Sequence, residues 1–395
     1  MSAIPRRKIL LAGLGLGAVV IVGCVALAQT SGALVSASQR ASGRASQSEA
    51  ESAGESESES AGESAGEGEG ESEGESAGEG ESEGESESES EFAHRPQFVL
   101  VGFDTTPLSP ARGTEEMLAN VNAGRVAGEP QRAFTLFIGT GGMTFDPERR
   151  RLPPEDEPFR GVLPRNAYVF HYARTRHDID VTVENIRRLA ERGVEIGAHT
   201  VRHLHGRDFT RERWDFELED HARILGVLGL AAPTGFRAPF RETSDALYDS
   251  LAAHGYTYDC SATQNARRWP TRHGEHGVWV FGVPTVHIPG REGPVLLYDL
   301  NLDARLRAAA LAAGVHGEQP VQAWMDETFE RVVTAELMSR YRGSRAPFLV
   351  SGHGGFQRPI ARFMRHVCGL PEVRCTTFRE ATAYMDAHPE LAGAD

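Results

Sequence analysis

The chain has 395 residues, 25% of them charged, and a formal net charge of −15 at pH 7. That acidity is local: eighteen glutamates lie between Glu49 and Glu91, and five of the basic residues precede them. Without these, 36 Lys and Arg face 38 Asp and Glu, a near-neutral remainder that excludes the basic footprint of a nucleic-acid binder.

Residues 1–30 open with Arg6, Arg7 and Lys8 and continue with twenty apolar or small residues from Ile9 to Ala28, the pattern of a secretory signal or membrane anchor. Three fates fit. Ile21-Val22-Gly23-Cys24 resembles a bacterial lipobox that would leave Cys24 lipidated, Ala26-Leu27-Ala28 offers an ordinary cleavage site, and the uncleaved segment is long enough to span a bilayer. The polar stretch that follows favours the lipobox, and all three fates place the remainder outside the cytoplasm, anchored to the membrane or secreted. Residues 31–91 are Ser, Gly, Ala and Glu without apolar periodicity, so they read as a disordered linker extended by its own charge. Residues 92–395 form the folded part, a size that suits one α/β domain.

Within it, Gln97–Phe103 is a short apolar run before a turn and reads as a buried strand, and Ala133–Ile138 is a second. Val181–Arg192 has helical spacing and stops at Gly193, before a strand at Val194–Ala198. Thr210 caps a long helix to about Leu228, followed by a brief strand at Thr234–Phe236, a helix at Ser244–His254 and a strand at Tyr256–Tyr258. Val295–Leu300 and Pro347–Ser351 read as later strands around a helix at Val321–Tyr341, and Thr377 caps a last helix, Phe378–His388. Strands alternating with helices call for a parallel sheet with crossover helices. The number of units favours a distorted or incomplete (β/α) barrel over an open sheet, although periodicity leaves both open. Cys368 and Cys375 would close a small loop if oxidised; two buried thiols fit as well, and Cys260 is left over.

In parallel barrels, functional side chains collect at the C-terminal ends of strands. Here those positions hold Asp104, the pair His199 and His203 four residues apart, Arg237, Asp259 and His353. Two imidazoles at that spacing can converge on one ion, an acid can take a proton from water, and a separate histidine can protonate a leaving group. Each residue also has a plainer reading. Asp104 would open a turn, Arg237 would sit in a surface ion pair, Asp259 would cap a loop, and Trp269 would anchor packing. Glycines on both sides of His353 permit close approach of a ligand, which favours function there.

Taken together, the motifs Gly102-Phe103-Asp104-Thr105, His199-Thr200-Val201-Arg202-His203, Arg237-Ala238-Pro239-Phe240, Tyr258-Asp259-Cys260-Ser261 with Trp269, and Val350-Ser351-Gly352-His353 resemble, in order and spacing, the polysaccharide deacetylases (NodB-homology carbohydrate esterases), nearest their chitin deacetylase branch. The resemblance implies hydrolysis of N-acetyl groups on an N-acetylhexosamine polymer, chitin-like or peptidoglycan-like, with one divalent metal ion, zinc. It makes Asp104 the general base held by Arg237, His199 and His203 the metal ligands, and His353 the general acid tuned by Asp259. Phe240 would border an oxyanion site and Trp269 the sugar groove. Two positions depart: Gly102 stands where the family has Thr, the milder change, and the family's third metal ligand, an Asp, is Thr105 here. A two-histidine site, recruitment of Asp104, and completion by His205 or Asp146 all remain open, as does a barrel that binds envelope glycans without turning them over.

Overall fold

The computed structural model describes residues 95–105, 110–146, 151–161, 172–264, 266–274 and 277–394. The expected signal or anchor segment, Cys24 included, and the Glu-rich linker lie outside the described residues. Among those described, no helix is long and apolar enough to cross a membrane.

The first strand, β1 (Gln97–Thr105), is buried along nearly its whole length, which is why it reads as an unbroken apolar run. Its alternation sorts two cores: Val99, Val101 and Phe103 face one, Phe98 and Leu100 the other. Parallel partners follow as β2 (Thr135–Ile138), β3 (Glu195–Ala198), β4 (Gly235–Phe236) and β5 (Tyr258–Thr263). Beyond them lies an antiparallel edge, β6 (Thr271–His273) on β7 (Val278–Val283). A separate small ribbon pairs β8 (Thr285–His287) with β9 (Pro294–Leu296). On the other side of β1 lies β10 (Phe348–Gly352), while β11 (Val373–Thr376) takes the first half of the edge whose second half pairs with β2. The path β10-β1-β2-β3-β4-β5-β7-β6 does not return on itself among the described strands, so this is an α/β fold with an incomplete barrel.

The crossover helices are α1 (Pro110–Val121), α2 (Arg176–Glu191), α3 (Arg211–Val227), α4 (Asp245–Ala253), α5 (Asp299–Ala312), α6 (Glu318–Tyr341), α7 (Gln357–Val367) and α8 (Phe378–Ala387). Thr175 with Asp178 and Thr377 with Glu380 form capping boxes at α2 and α8, fixing where those helices start. Thr210 precedes α3 but makes no side-chain cap bond. Helix α8 closes the inner core, where Phe378 packs on Phe137, Tyr258 and Phe281.

Two assignments from sequence change. The strand expected at Tyr256–Tyr258 begins at Tyr258 and runs on to Thr263, which puts Asp259 inside the strand. The strand expected at Val295–Leu300 ends at Leu296, and α5 starts at Asp299; apolar residues at a strand-to-helix junction hide the change of period. Cys368 and Cys375 form a disulfide with Cα atoms 5.7 Å apart, tying the end of α7 to β11. Replacing both by Ser should lower the unfolding free energy by about 2 kcal/mol, the chain entropy expected for so short a loop. Urea unfolding of the wild type with reductant should show the same loss, and the double variant should not respond to reductant.

Candidate active site

The site begins with a buried charge at the end of β1. Asp104 is 4% exposed and Arg237 is fully buried, and Arg237 Nη1 donates to Asp104 Oδ1 at 2.9 Å. The guanidinium spends its other donors locally: Nη2 on Ser351 Oγ at 3.0 Å, Nε on Cys260 Sγ at 3.2 Å, and Nη1 also on the Gly102 carbonyl at 3.3 Å. It thus joins β1, β5 and β10 from its place just after β4. A Cβ at Gly102 would lie 2.8 Å from Arg237 Nη2, so the absence of a side chain there gives the guanidinium room.

The second oxygen of Asp104 accepts from the Tyr298 hydroxyl. Burial pushes the Asp104 carboxyl up, but Arg237, with smaller help from His199, His353 and Tyr298, brings it down to about 2. Asp104 is therefore an ionised carboxylate at neutral pH. Burial opposes the charge on Arg237, and Asp104, together with Cys260 and Tyr298, more than restores it.

His199 follows β3 directly. Its Nδ1 lies 2.8 Å from the Arg237 carbonyl oxygen, which can only accept, so Nδ1 carries the proton and Nε2 keeps a lone pair. His203 meets it edge to face with centroids 4.9 Å apart. The turn between them is held from below by α3. Glu217 Oε2 accepts the Val201 and Arg202 backbone N–H groups at 3.1 and 3.3 Å, and the buried Arg202 guanidinium bonds Glu217 and Asp220. Thr200 and His203 both take positive φ, 57° and 53°, a conformation non-glycine residues hold only when their surroundings enforce it. Burial lowers the affinity of both imidazoles for protons; for His203, burial and then His199 take it to about 2.

His353, after β10, is 41% exposed along its side chain. Its Nδ1 lies 3.3 Å from Asp299 Oδ1, and Asp299 Oδ2 accepts the backbone N–H groups of His353 and Gly355 at 2.7 and 2.8 Å. A Cβ at Gly352 or Gly355 would fall 2.4 or 2.8 Å from Asp299, so the glycines flanking His353 admit this carboxylate. The Tyr298 ring stands edge to face with His353 at 5.2 Å while its hydroxyl reaches Asp104. Asp104, Arg237, His199, His203 and His353 are therefore linked into one rim.

Two expected roles are corrected. Asp259 does not reach His353. It is fully buried and accepts from Ser261 Oγ at 2.5 Å, Ser261 N at 3.1 Å and Tyr248 Oη at 3.3 Å, and Ser261 Oγ in turn accepts the Ala238 N–H. Asp259 thus anchors the Arg237-to-Phe240 turn, and Asp299 is the partner of His353. Trp269 does not line a groove: it is 0% exposed, with Nε1 donating to the Ser344 carbonyl at 2.9 Å and its ring edge-on to Phe98. A buried indole needs such a partner, and this one points it into the core. Phe240 remains at the rim, its ring 4.8 Å from that of His203.

The expected third metal ligand does not emerge either. Position 105 is Thr, and His205 stacks on Phe240 and pairs with Glu242. Among the described residues no group of three or more His, Cys, Asp or Glu side chains is set to hold a metal ion. The donor set supplies two imidazoles and does not fit zinc held by three protein ligands. Tyr298 and Asp299 are not evident from sequence because Val295–Leu300 reads as one strand; the polar pair after the apolar run is the available signal.

Comparison with known proteins agrees with the resemblance over part of the chain. Residues 157–258 match the polysaccharide deacetylase family model, a segment that holds His199, His203, Arg237 and Phe240 but neither Asp104 nor His353. A peptidoglycan deacetylase of Helicobacter pylori is 30% identical over 89 residues, which is 22% of this chain; the match spans only 30% of that relative's length. Among solved structures, a family 4 carbohydrate esterase from Streptomyces lividans in complex with acetate aligns at 12% identity and TM-score 0.37, covering 76% of this chain and 97% of that one. The chitin deacetylase of the fungus Colletotrichum lindemuthianum aligns at 11% identity and TM-score 0.37, covering 69% and 83%.

Two outcomes test the electrostatics. Arg237→Met should cost about 3–5 kcal/mol in urea unfolding by stranding a buried carboxylate, and adding Asp104→Asn should recover part of that loss. Burial raises the Asp259 carboxyl to about 6 against its hydrogen bonds, so its contribution to stability is full below about pH 4 and is lost as pH rises through 6. The difference in unfolding free energy between wild type and Asp259→Asn should therefore change across pH 4 to 7, by up to about 3 kcal/mol.

Proposed function

We propose that this chain hydrolyses N-acetyl groups of an N-acetylhexosamine polymer, chitin-like or peptidoglycan-like, outside the cytoplasm. The observation that carries the reading is the juxtaposition of an ionised carboxylate, Asp104, with an accessible imidazole backed by a carboxylate, His353 on Asp299, linked through Tyr298. The family match over residues 157–258 supports the substrate class. The basic, then apolar N-terminal sequence supports the location and an attachment to the membrane by anchor or lipid.

The chain's own residues supply the following chemistry. Asp104 keeps a spare lone pair on each oxygen, so it can orient a water and take its proton as the water attacks the amide carbonyl carbon. Arg237 keeps that carboxylate in place and charged. Asp299 accepts from His353 Nδ1 and stabilises the imidazolium form, whose Nε2–H passes its proton to the departing sugar amine as the C–N bond breaks; the proton that Asp104 took from the water then leaves to solvent. The products are acetate and a free amine.

A second reading, a glycan-binding domain without turnover, is favoured by one observation: Thr105 occupies the position where a metal-binding Asp was expected. The two separate on one experiment with the full-length protein, supplied with zinc, with cobalt, or with neither. The hydrolytic reading expects acetate release from N-acetylglucosamine oligomers or peptidoglycan fragments. It also expects His353→Ala to lower kcat by about 10²- to 10⁴-fold with little change in KM. Oligomer binding with no acetate under any condition would establish the binding domain instead.

A further inference from the structure

This inference rests on the reading that the substrate is a chain of sugars. We infer that the imidazole of His205 is a stacking platform for a second sugar ring, a subsite beside the residue being deacetylated.

Aromatic rings step outward from the rim in one series. His199 is buried and meets His203, His203 meets the edge of Phe240, and Phe240 stacks on His205 with centroids 3.7 Å apart and planes inclined by 11°. The last ring is 70% exposed along its side chain. One face of His205 is covered by Phe240, and the opposite face is turned to solvent.

An exposed histidine ordinarily samples several rotamers, and a ring that tumbles offers no defined surface. This one is fixed twice. Phe240 fixes its plane, and Glu242 fixes its rotation by lying 3.2 Å from Nδ1. Glu242 is only 13% exposed and is itself pinned, since its Oε2 accepts the Arg207 backbone N–H at 3.1 Å. Phe240 and Arg241 hold positive φ, 54° and 58°, so the turn that presents the Phe240 ring is a constrained one. The ordering cost of a flat binding face is thus met within the protein before a ligand arrives.

The ligand chemistry follows from the surface. A flat, weakly polar ring face suits the C–H face of a pyranose, and the Glu242 carboxylate and Arg207 at its edge suit ring hydroxyls. Trp269, the aromatic expected for this task, is buried, and the large apolar side chains exposed among the described residues are Val126, Val181, Val227 and Leu311. His205 is reached from His203 through one intervening ring. That places the platform beside the amide-hydrolysing centre and apart from its reacting groups.

The test uses the full-length chain and its His205→Ala and His205→Trp variants, with N-acetylglucosamine and its linear tetramer as probes. By calorimetry, His205→Ala should weaken tetramer binding about five- to tenfold and monomer binding far less, and His205→Trp should bind the tetramer at least as well as wild type. In acetate release, the same Ala variant should raise KM for the tetramer by a similar factor while kcat falls less than twofold. Equal tetramer affinity in wild type and His205→Ala, equal losses on monomer and tetramer, or no tetramer binding to the wild type would each overturn the subsite. Tetramer binding that depends on His205 without any acetate release would remove the hydrolytic reading and leave the subsite standing.

Discussion

The arrangement depends on one buried ion pair. Removing Arg237 and Asp104 from water is expensive, and their attraction offsets that only because further hydrogen bonds hold both groups. The guanidinium reaches Asp104, Gly102, Cys260 and Ser351, and Asp104 uses its other oxygen on Tyr298. The consequence is geometric. Strands β1, β5 and β10 and the turn after β4 are tied to one planar group, so their ends form a rim of fixed shape. The Arg237 carbonyl extends the same control to His199 by dictating its tautomer. A lysine could not make these directed contacts from a single nitrogen.

Around that pair the sequence repeatedly leaves out side chains where polar groups must approach the backbone. Gly102 admits the Arg237 guanidinium, and Gly352 and Gly355 admit Asp299. The carboxylates then bind main-chain N–H groups: Asp299 those of Leu300, His353 and Gly355, and Glu217 those of Val201 and Arg202. Each is a charge-assisted contact to a loop, worth more than a neutral one and more restrictive of loop motion. The histidines are therefore positioned by acids lying on helices behind them, α3 for His203 and α5 for His353.

Much of this rim was legible from order alone, because parallel strands with crossover helices bring their C-terminal ends to one edge whatever the loops do. That rule placed Asp104, His199, Arg237 and His353 together. It failed where local chemistry decides direction. Asp259 and Trp269 occupy plausible positions in the chain, yet β5 runs past Asp259 and turns its carboxylate toward Ser261 and Tyr248. The indole of Trp269 finds its acceptor at Ser344, seventy-five residues on, a partner that no spacing pattern can reveal. Asp299 is hidden for a different reason: apolar residues stand on both sides of the Tyr298-Asp299 pair, so the strand end at Leu296 and the helix start at Asp299 read as one continuous run.

The same short loop serves the buried and the exposed parts of the site because its backbone is strained in a particular way. Thr200 and His203 in one turn, and Phe240 and Arg241 in the next, take left-handed conformations that β-branched and aromatic residues disfavour. Extended or helical backbone at these points would send His203 and His205 in directions set by the regular repeat. The left-handed residues break that repeat, so His203 turns inward against His199 while His205, two residues later, lies flat on the outside of Phe240. Folding energy elsewhere must sustain the strain, and the visible source is the buried Arg202–Glu217–Asp220 cluster below the first turn with the Asp259–Ser261–Ala238 chain behind the second. Loss of either anchor relaxes the turn it supports, and the distance between the His203 and His205 rings is then no longer fixed.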